Sequence, residues 1–365
     1  MLAENTVFTD AQIQARLKAA RGAIVKSKTE LAQHLKVLSA EGGLAELEDA
    51  VPSGITLHAR REYIGCQDRI AAVCFGAEST RFGTASHDGK FMIWDANSGL
   101  KQYCIRLKST FVMACALQRG GRAMTSKLAA TGGMDNTVSL YDVTRPALSA
   151  AANTPVALLE DHDGYISDLQ FFSSEKVLST GGDGKCIMWD IESQAQDMTC
   201  KDHVGDALCV AVAPKGIPIF ATGSVDSKVH VYDSRVGLVQ TFMGQIGDVN
   251  AISFFPDGQA IGSGCSDGSV ALYDLRAGQA IATYGRDSRS SGVGGLGFSL
   301  SGRLLLVGSE DGFVRVFDTV PQSSEATNPS QSIKAHDLGI TSVAVAPDGS
   351  GILTGSDDSS AKMWA

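Results

Sequence analysis

Histidine, serine and aspartate recur together in this chain. His336, Ser356 and Asp358 form one set and His203, Ser224 and Asp226 a second; His162 and Asp183 form a third, with Gly181 where the serine would stand. A serine activated by a histidine that a carboxylate orients is the chemistry of acyl transfer. One enzyme needs one such set, however, and sets recurring at similar spacing point to a repeated packing unit. A second candidate is Gly292-Val293-Gly294-Gly295-Leu296-Gly297, which fits the G-x-G-x-x-G string of dinucleotide binding. That chemistry needs a strand, a turn and a helix around the glycines, whereas here the pattern predicts only the start of a strand. No HExxH or P-loop string occurs. The reading is therefore non-catalytic, with no cofactor and no metal.

The elements that position these residues emerge from self-similarity. An aspartate after small residues is followed six positions later by an aromatic: Asp88 and Trp94, Asp135 and Tyr141, Asp183 and Trp189, Asp226 and Tyr232, Asp267 and Tyr273, Asp311 and Phe317, Asp358 and Trp364. Successive aspartates are 47, 48, 43, 41, 44 and 47 residues apart, close to the ~40–45 of a four-stranded propeller blade. The clearest unit runs Val249 to Phe255, turns at Pro256-Asp257-Gly258, continues over 260–264, turns at Ser266-Asp267-Gly268 into Val270 to Tyr273, and ends over 279–284. The aspartates are expected to accept backbone N–H groups in the turns, joined by His162, His203 and His336, while Cys66 and Gln245 stand in the histidine's place. The fold class is all-β: a seven-bladed WD-repeat β-propeller over 51–365. Trp364 leaves no room for a last strand, so the segment 55–64 is expected to supply it and abolish an open edge.

Composition bounds the rest. Forty glycines in 365 residues exceed the usual ~7% share and fit dense turns. Thirty-one basic against 40 acidic residues give a net charge of −9, which repels phosphate backbones; nucleic-acid binding is not expected. No apolar run reaches the ~18 residues of a membrane span. Eight cysteines without a Cys-x-x-Cys pair suit a reducing compartment, and the protein reads as cytoplasmic.

Residues 1–50 differ in character. Between Thr9-Asp10 and Gly42-Gly43 lies helix-forming sequence, with Ile13, Leu17, Ala20, Ile24, Ser27, Leu31, His34 and Leu38 spaced by alternating fours and threes. This predicts an N-terminal coiled-coil α-helix and linker, its seam covered by a second chain.

Helix and propeller together resemble the β subunit of heterotrimeric G proteins. The resemblance spans nearly the whole chain and is carried by Arg60-Arg61, Asp88-Gly89-Lys90, Phe111-Val112-Met113, Gly132-Gly133-Met134-Asp135-Asn136, Gly164-Tyr165, Asp248-Val249-Asn250-Ala251-Ile252, Phe254-Phe255-Pro256 and Ser301-Gly302-Arg303-Leu304-Leu305-Leu306. It implies an obligate coiled-coil dimer with a Gγ subunit through Ile13, Leu17, Ile24, Leu31 and Leu38. It also implies that the narrow face binds Gα-GDP and, once freed, effector proteins. The residues so implied are Lys90, Met92, Lys101, Phe111, Met113, Met134, Asn136, Tyr165, Asp206, Leu208 and Asp248. Membrane contact at the inner face of the plasma membrane would come only through a prenylated Gγ. The chain departs from the family pattern at Ala71, Phe111, Val225, Ser266 and Asp357, where the family has Tyr, Trp, Cys, Asp and Trp. The rival reading is a generic WD-repeat scaffold without Gα or Gγ.

Overall fold

The computed structural model describes residues 57–107, 109–118, 126–144, 153–214, 216–285, 291–319 and 328–365. The seam residues from Ile13 to Leu38 lie outside them. The described residues form 28 strands and no α-helix.

The strands make seven antiparallel sheets of four. Blade 1 consists of Ile70–Phe75, Arg81–Ser86, Lys90–Asp95 and Lys101–Arg106. Blades 2 to 6 begin at Val112, Ile166, Ala207, Val249 and Val293, each running through four consecutive strands. Blade 7 takes Ile340–Val345, Ile352–Ser356 and Ser360–Trp364 from the C-terminus and Ala59–Ile64 from before blade 1. Ala59 pairs with Trp364 and Ile64 with Ser360, and just outside the strand His58 and Ala365 exchange two backbone bonds of 3.1 Å. The strand that closes the ring thus covers 59–64 of the expected 55–64.

The third strand of blade 1, Lys90–Asp95, is buried on both faces, with Phe91, Met92, Ile93 and Trp94 all at most 4% exposed. Neighbouring blades clamp it from either side, so it reads as a continuous apolar run. Trp94, Phe82 and Tyr63 pack together at the blade 7 to blade 1 junction, with Tyr63 edge-on to Phe82 at 4.7 Å. Each such buried aromatic contributes on the order of 2 kcal/mol or more.

The first strands of all seven blades ring a central cavity of about 780 Å³. Each of these strands carries a bulge at its second residue, as the register breaks between Ile70 and Ala72 and between Ile340 and Ser342 show for blades 1 and 7. A bulge sharpens the local twist and re-aims one side chain. Here it turns that side chain onto the next blade: Ser167 Oγ donates to Ala207 O at 2.5 Å, Asn250 Nδ2 to Val293 O at 3.2 Å and Thr341 Oγ1 to Ile70 O at 2.5 Å. At Gly294 the next blade comes closer still, and a Cβ there would lie 2.0 Å from Ile340 O. Three of the glycines that mimic a dinucleotide loop, Gly294, Gly295 and Gly297, are therefore demanded by blade-to-blade packing inside strand Val293–Phe298.

Candidate protein-interaction face

Three blades contain a buried polar relay. In blade 3, Trp189 Nε1 donates to Ser179 Oγ at 2.8 Å, Ser179 Oγ lies 2.8 Å from His162 Nε2, and His162 Nδ1 lies 3.0 Å from Asp183. Blade 7 repeats it as Trp364, Thr354, His336 and Asp358, with links of 3.0, 2.7 and 2.9 Å. In blade 4, His203 joins Thr222 and Asp226 at 2.8 and 3.1 Å, while Tyr232 Oη has no partner within hydrogen-bond distance among the described residues. Burial holds all three histidines below the ordinary imidazole pKa, leaving them neutral. Burial pushes the three aspartates up, but backbone N–H groups and the imidazoles outweigh it, and their pKa values fall below the usual carboxylate range. A neutral imidazole donating to a carboxylate, with no exposed nucleophile, fastens strands together.

These relays correct the assignment of the hydroxyl. Ser224 and Ser356 instead accept the N–H of Asp226 and Asp358 at 3.1 Å. The hydroxyl that meets the histidine lies two residues earlier, so the blade containing Gly181 has a complete relay through Ser179. Blades 1 and 5 keep part of it: Cys66 Sγ lies 4.0 Å from Thr84 Oγ1, which also takes the Trp94 indole, and Gln245 Nε2 donates to Ser263 Oγ at 2.5 Å. Asp267 and Asp311 accept N–H groups from Ser269 and Phe313, and Arg315 pairs with Asp311. Asp88 accepts from Gln67 N at 3.0 Å. Asp135 departs from the set, being exposed, with no hydrogen bond to its carboxylate among the described residues.

Antiparallel meandering brings the second turn of every blade and the start of every first strand to the same end of the ring. Several implied contact residues therefore assemble there from different blades. Phe111, 48% exposed, lies edge-on to His87 at 5.4 Å. Its carbonyl accepts Met134 N at 3.1 Å, and Met134 is 58% exposed. Asn136, at φ 58°, donates through Nδ2 to Asp163 O at 3.4 Å. Tyr165 packs over Gly182, where a Cβ would sit 2.3 Å from its ring, and its hydroxyl donates to Asp206 Oδ2 at 2.9 Å. Burial and that carboxylate push the Tyr165 pKa up to about 12, so the phenol stays a donor. Asp248 is half-buried and exchanges two 2.9 Å bonds with Ser266 through N to Oγ and O to N. Met113 and Leu208, both half-buried, occupy bulge positions.

Other implied residues are placed differently. Met92, 1% exposed in the core, offers no surface. Lys90 is largely committed to Asp88, with Nζ 2.6 Å from Oδ2 and its side chain 16% exposed. Lys101 begins the outer strand of blade 1, at the opposite end of the blade, its ammonium 5.1 Å from the Trp94 ring centroid.

The repeat architecture leaves many families open, and sequence comparison decides among them. A family model described as G protein beta WD-40 repeat protein matches residues 16–365. The chain belongs to the G protein beta WD-40 repeat family. It is 32% identical over 314 residues to the guanine nucleotide-binding protein subunit beta of Nicotiana tabacum, covering 82% of each chain. The subunits of the same name from Solanum tuberosum and Arabidopsis thaliana are each 31% identical, with 82% of this chain and 81% of theirs aligned.

Within this G-protein β, signal-transducing family, one feature of the face escaped the sequence reading. Arg69 Nε lies 3.5 Å from Asp357 Oδ1, joining blades 7 and 1 beside His87. Asp357 is one of the positions at which the resemblance implies a tryptophan. The sequence signal was present in Asp357, but its partner is far away along the chain.

Proposed function

We propose that this chain is the non-catalytic β subunit of a heterotrimer: it dimerises with a Gγ chain through the Ile13 to Leu38 seam and presents the face described above to Gα-GDP. Effector proteins compete for the same face and gain it when GTP on Gα lowers the affinity of Gα for β. The observation that carries this reading is the continuous arc from His87 through Phe111, Met134, Asn136 and Tyr165 to Asp206, spanning blades 1 to 4. Exposed aromatic and methionine side chains set among carboxylates and amides suit a protein partner. Lys101 would add a contact on the flank of blade 1. Membrane attachment would be peripheral, through a prenylated Gγ, at the inner face of the plasma membrane. The test is affinity purification of the wild-type chain beside an Ile24→Asp/Leu31→Asp variant, with mass spectrometry of the bound proteins. A small prenylated helical chain recovered only with the wild type supports the reading. The same unrelated partners on both baits would favour a scaffold without Gγ.

A further inference from the structure

Blade 4 carries a second histidine beside its relay. His230 lies in the third strand, paired across the sheet with Thr222, and is 4% exposed. Two residues before the corresponding aromatics of blades 6 and 7 stand Arg315 and Lys362, whose cations are fully engaged with Asp311 in one case and with Glu62 and Ala335 O in the other. His230 has no such outlet. Its Nδ1 meets Thr241 Oγ1 at 2.8 Å, and its Nε2 is buried without a hydrogen-bond partner among the described residues. The ring centroid of His203 is 4.2 Å away.

We propose that His203, Asp226 and His230 form a zinc-binding site within blade 4. One ligand atom from each residue lies within 4.8 Å of those of the other two. His203 Nε2 is held by Thr222 Oγ1 and His230 Nδ1 by Thr241 Oγ1, each at 2.8 Å. Those hydroxyls act as the outer partners that orient metal-bound imidazoles, leaving His203 Nδ1 and His230 Nε2 to face the ion. His203 Nδ1 is already 3.1 Å from Asp226 Oδ2, near the ~3.3 Å that separates neighbouring ligands in a tetrahedral site with metal-to-ligand bonds of ~2.0 Å. Two imidazoles and one carboxylate select Zn²⁺ over Ca²⁺ or Mg²⁺, which take oxygen ligands. The exposed Asp202 adds negative charge within electrostatic reach of both rings.

The proton balance is simple. In the relay neutral His203 carries its one proton on Nδ1, donated to Asp226; for the ion to take that nitrogen's lone pair the proton moves to Nε2, which then donates to Thr222 Oγ1, so the ligand stays a neutral imidazole and no net proton is released. Asp226 keeps the Lys228 N–H on Oδ1 at 3.0 Å, so the turn survives the exchange.

The test is calorimetric titration of the chelator-stripped full-length chain with ZnCl₂ and, separately, MgCl₂, in two buffers of different ionisation enthalpy. The expected result is one zinc per chain, with the same binding enthalpy in both buffers because no net proton is released, and no response to magnesium. His230→Gln should weaken zinc binding by at least about tenfold while leaving the metal-free melting temperature near that of the wild type. If His230→Gln fails to fold, His230→Lys, which copies blade 7, takes its place. Absence of stoichiometric zinc binding would overturn the proposal. Undiminished binding by the folded variant would also overturn it and assign the zinc to other groups, such as the free cysteines.

Discussion

Thr341 Oγ1 donates to the carbonyl of Ile70 at 2.5 Å across the junction where the last blade meets the first. The bulge that aims this hydroxyl recurs in all seven first strands, and at the one position where it holds glycine the neighbouring carbonyl closes in until no Cβ fits. Gly294→Ala should therefore destabilise the chain by about 1–3 kcal/mol through overpacking. Thr341→Val should cost about 1 kcal/mol by orphaning a carbonyl. Denaturant unfolding measures both, and an unchanged midpoint for Gly294→Ala would contradict the close approach.

The relay hydroxyls differ in energetic weight from the turn hydroxyls. Ser179→Ala strands His162 Nε2 and Trp189 Nε1 in the core, each at about 1–3 kcal/mol. Ser224→Ala removes one acceptor from the N–H of Asp226 and should cost about 1 kcal/mol or less. Thermal melts of the two variants side by side should show the larger loss for Ser179→Ala; equal losses would refute the relay.

Asp168 lies against the central cavity, where burial pushes its pKa up to about 6 despite the N–H groups of Leu169 and Val210. Its folded-state pKa exceeds the unfolded value of 3.8, so its contribution to stability is full below that value and is lost as pH rises through about 6. Asp168→Asn has no such titration. The melting temperature of this variant relative to wild type should rise between pH 4 and pH 7, and a flat difference would contradict the shift.

On the surface, Phe111→Ala should weaken binding to Gα-GDP by about 2 kcal/mol if this ring is a central anchor. With Phe111 48% exposed, folding should be little affected. Lys90 is a poorer probe, because reversing its charge sets a carboxylate against Asp88, whose Oδ1 is already buried without a partner. Binding isotherms combined with melting temperatures separate the two effects.

Much of the architecture is legible in the spacing of Asp and aromatic residues, because most of these turns use the Asp carboxylate as an acceptor and each third strand carries a large side chain. The relay hydroxyl is not legible in this way. Residues two apart share a strand face, so Thr354 and Ser356 look equivalent in sequence, and only the depth of His336 in the blade chooses Thr354. Gly181 offered the clue, since it leaves Ser179 as the hydroxyl on that face in its strand. Met92 misleads for a related reason. Its place in the third strand of blade 1 clamps it on both sides, whatever the resemblance implies for it. Arg69 and Asp357 come from opposite ends of the propeller sequence, and ring closure alone brings them together.

The central claim is tested most directly by titrating the purified βγ dimer with Gα loaded with GDP and with Gα bound to a non-hydrolysable GTP analogue, using wild-type chain and Phe111→Ala/Met134→Ala. Tight binding to the GDP form, little to the GTP form, and a loss of at least about tenfold for the double variant, or ~1.4 kcal/mol, is the predicted result. Equal affinity for both nucleotide states, or an unchanged affinity in the double variant, would contradict it.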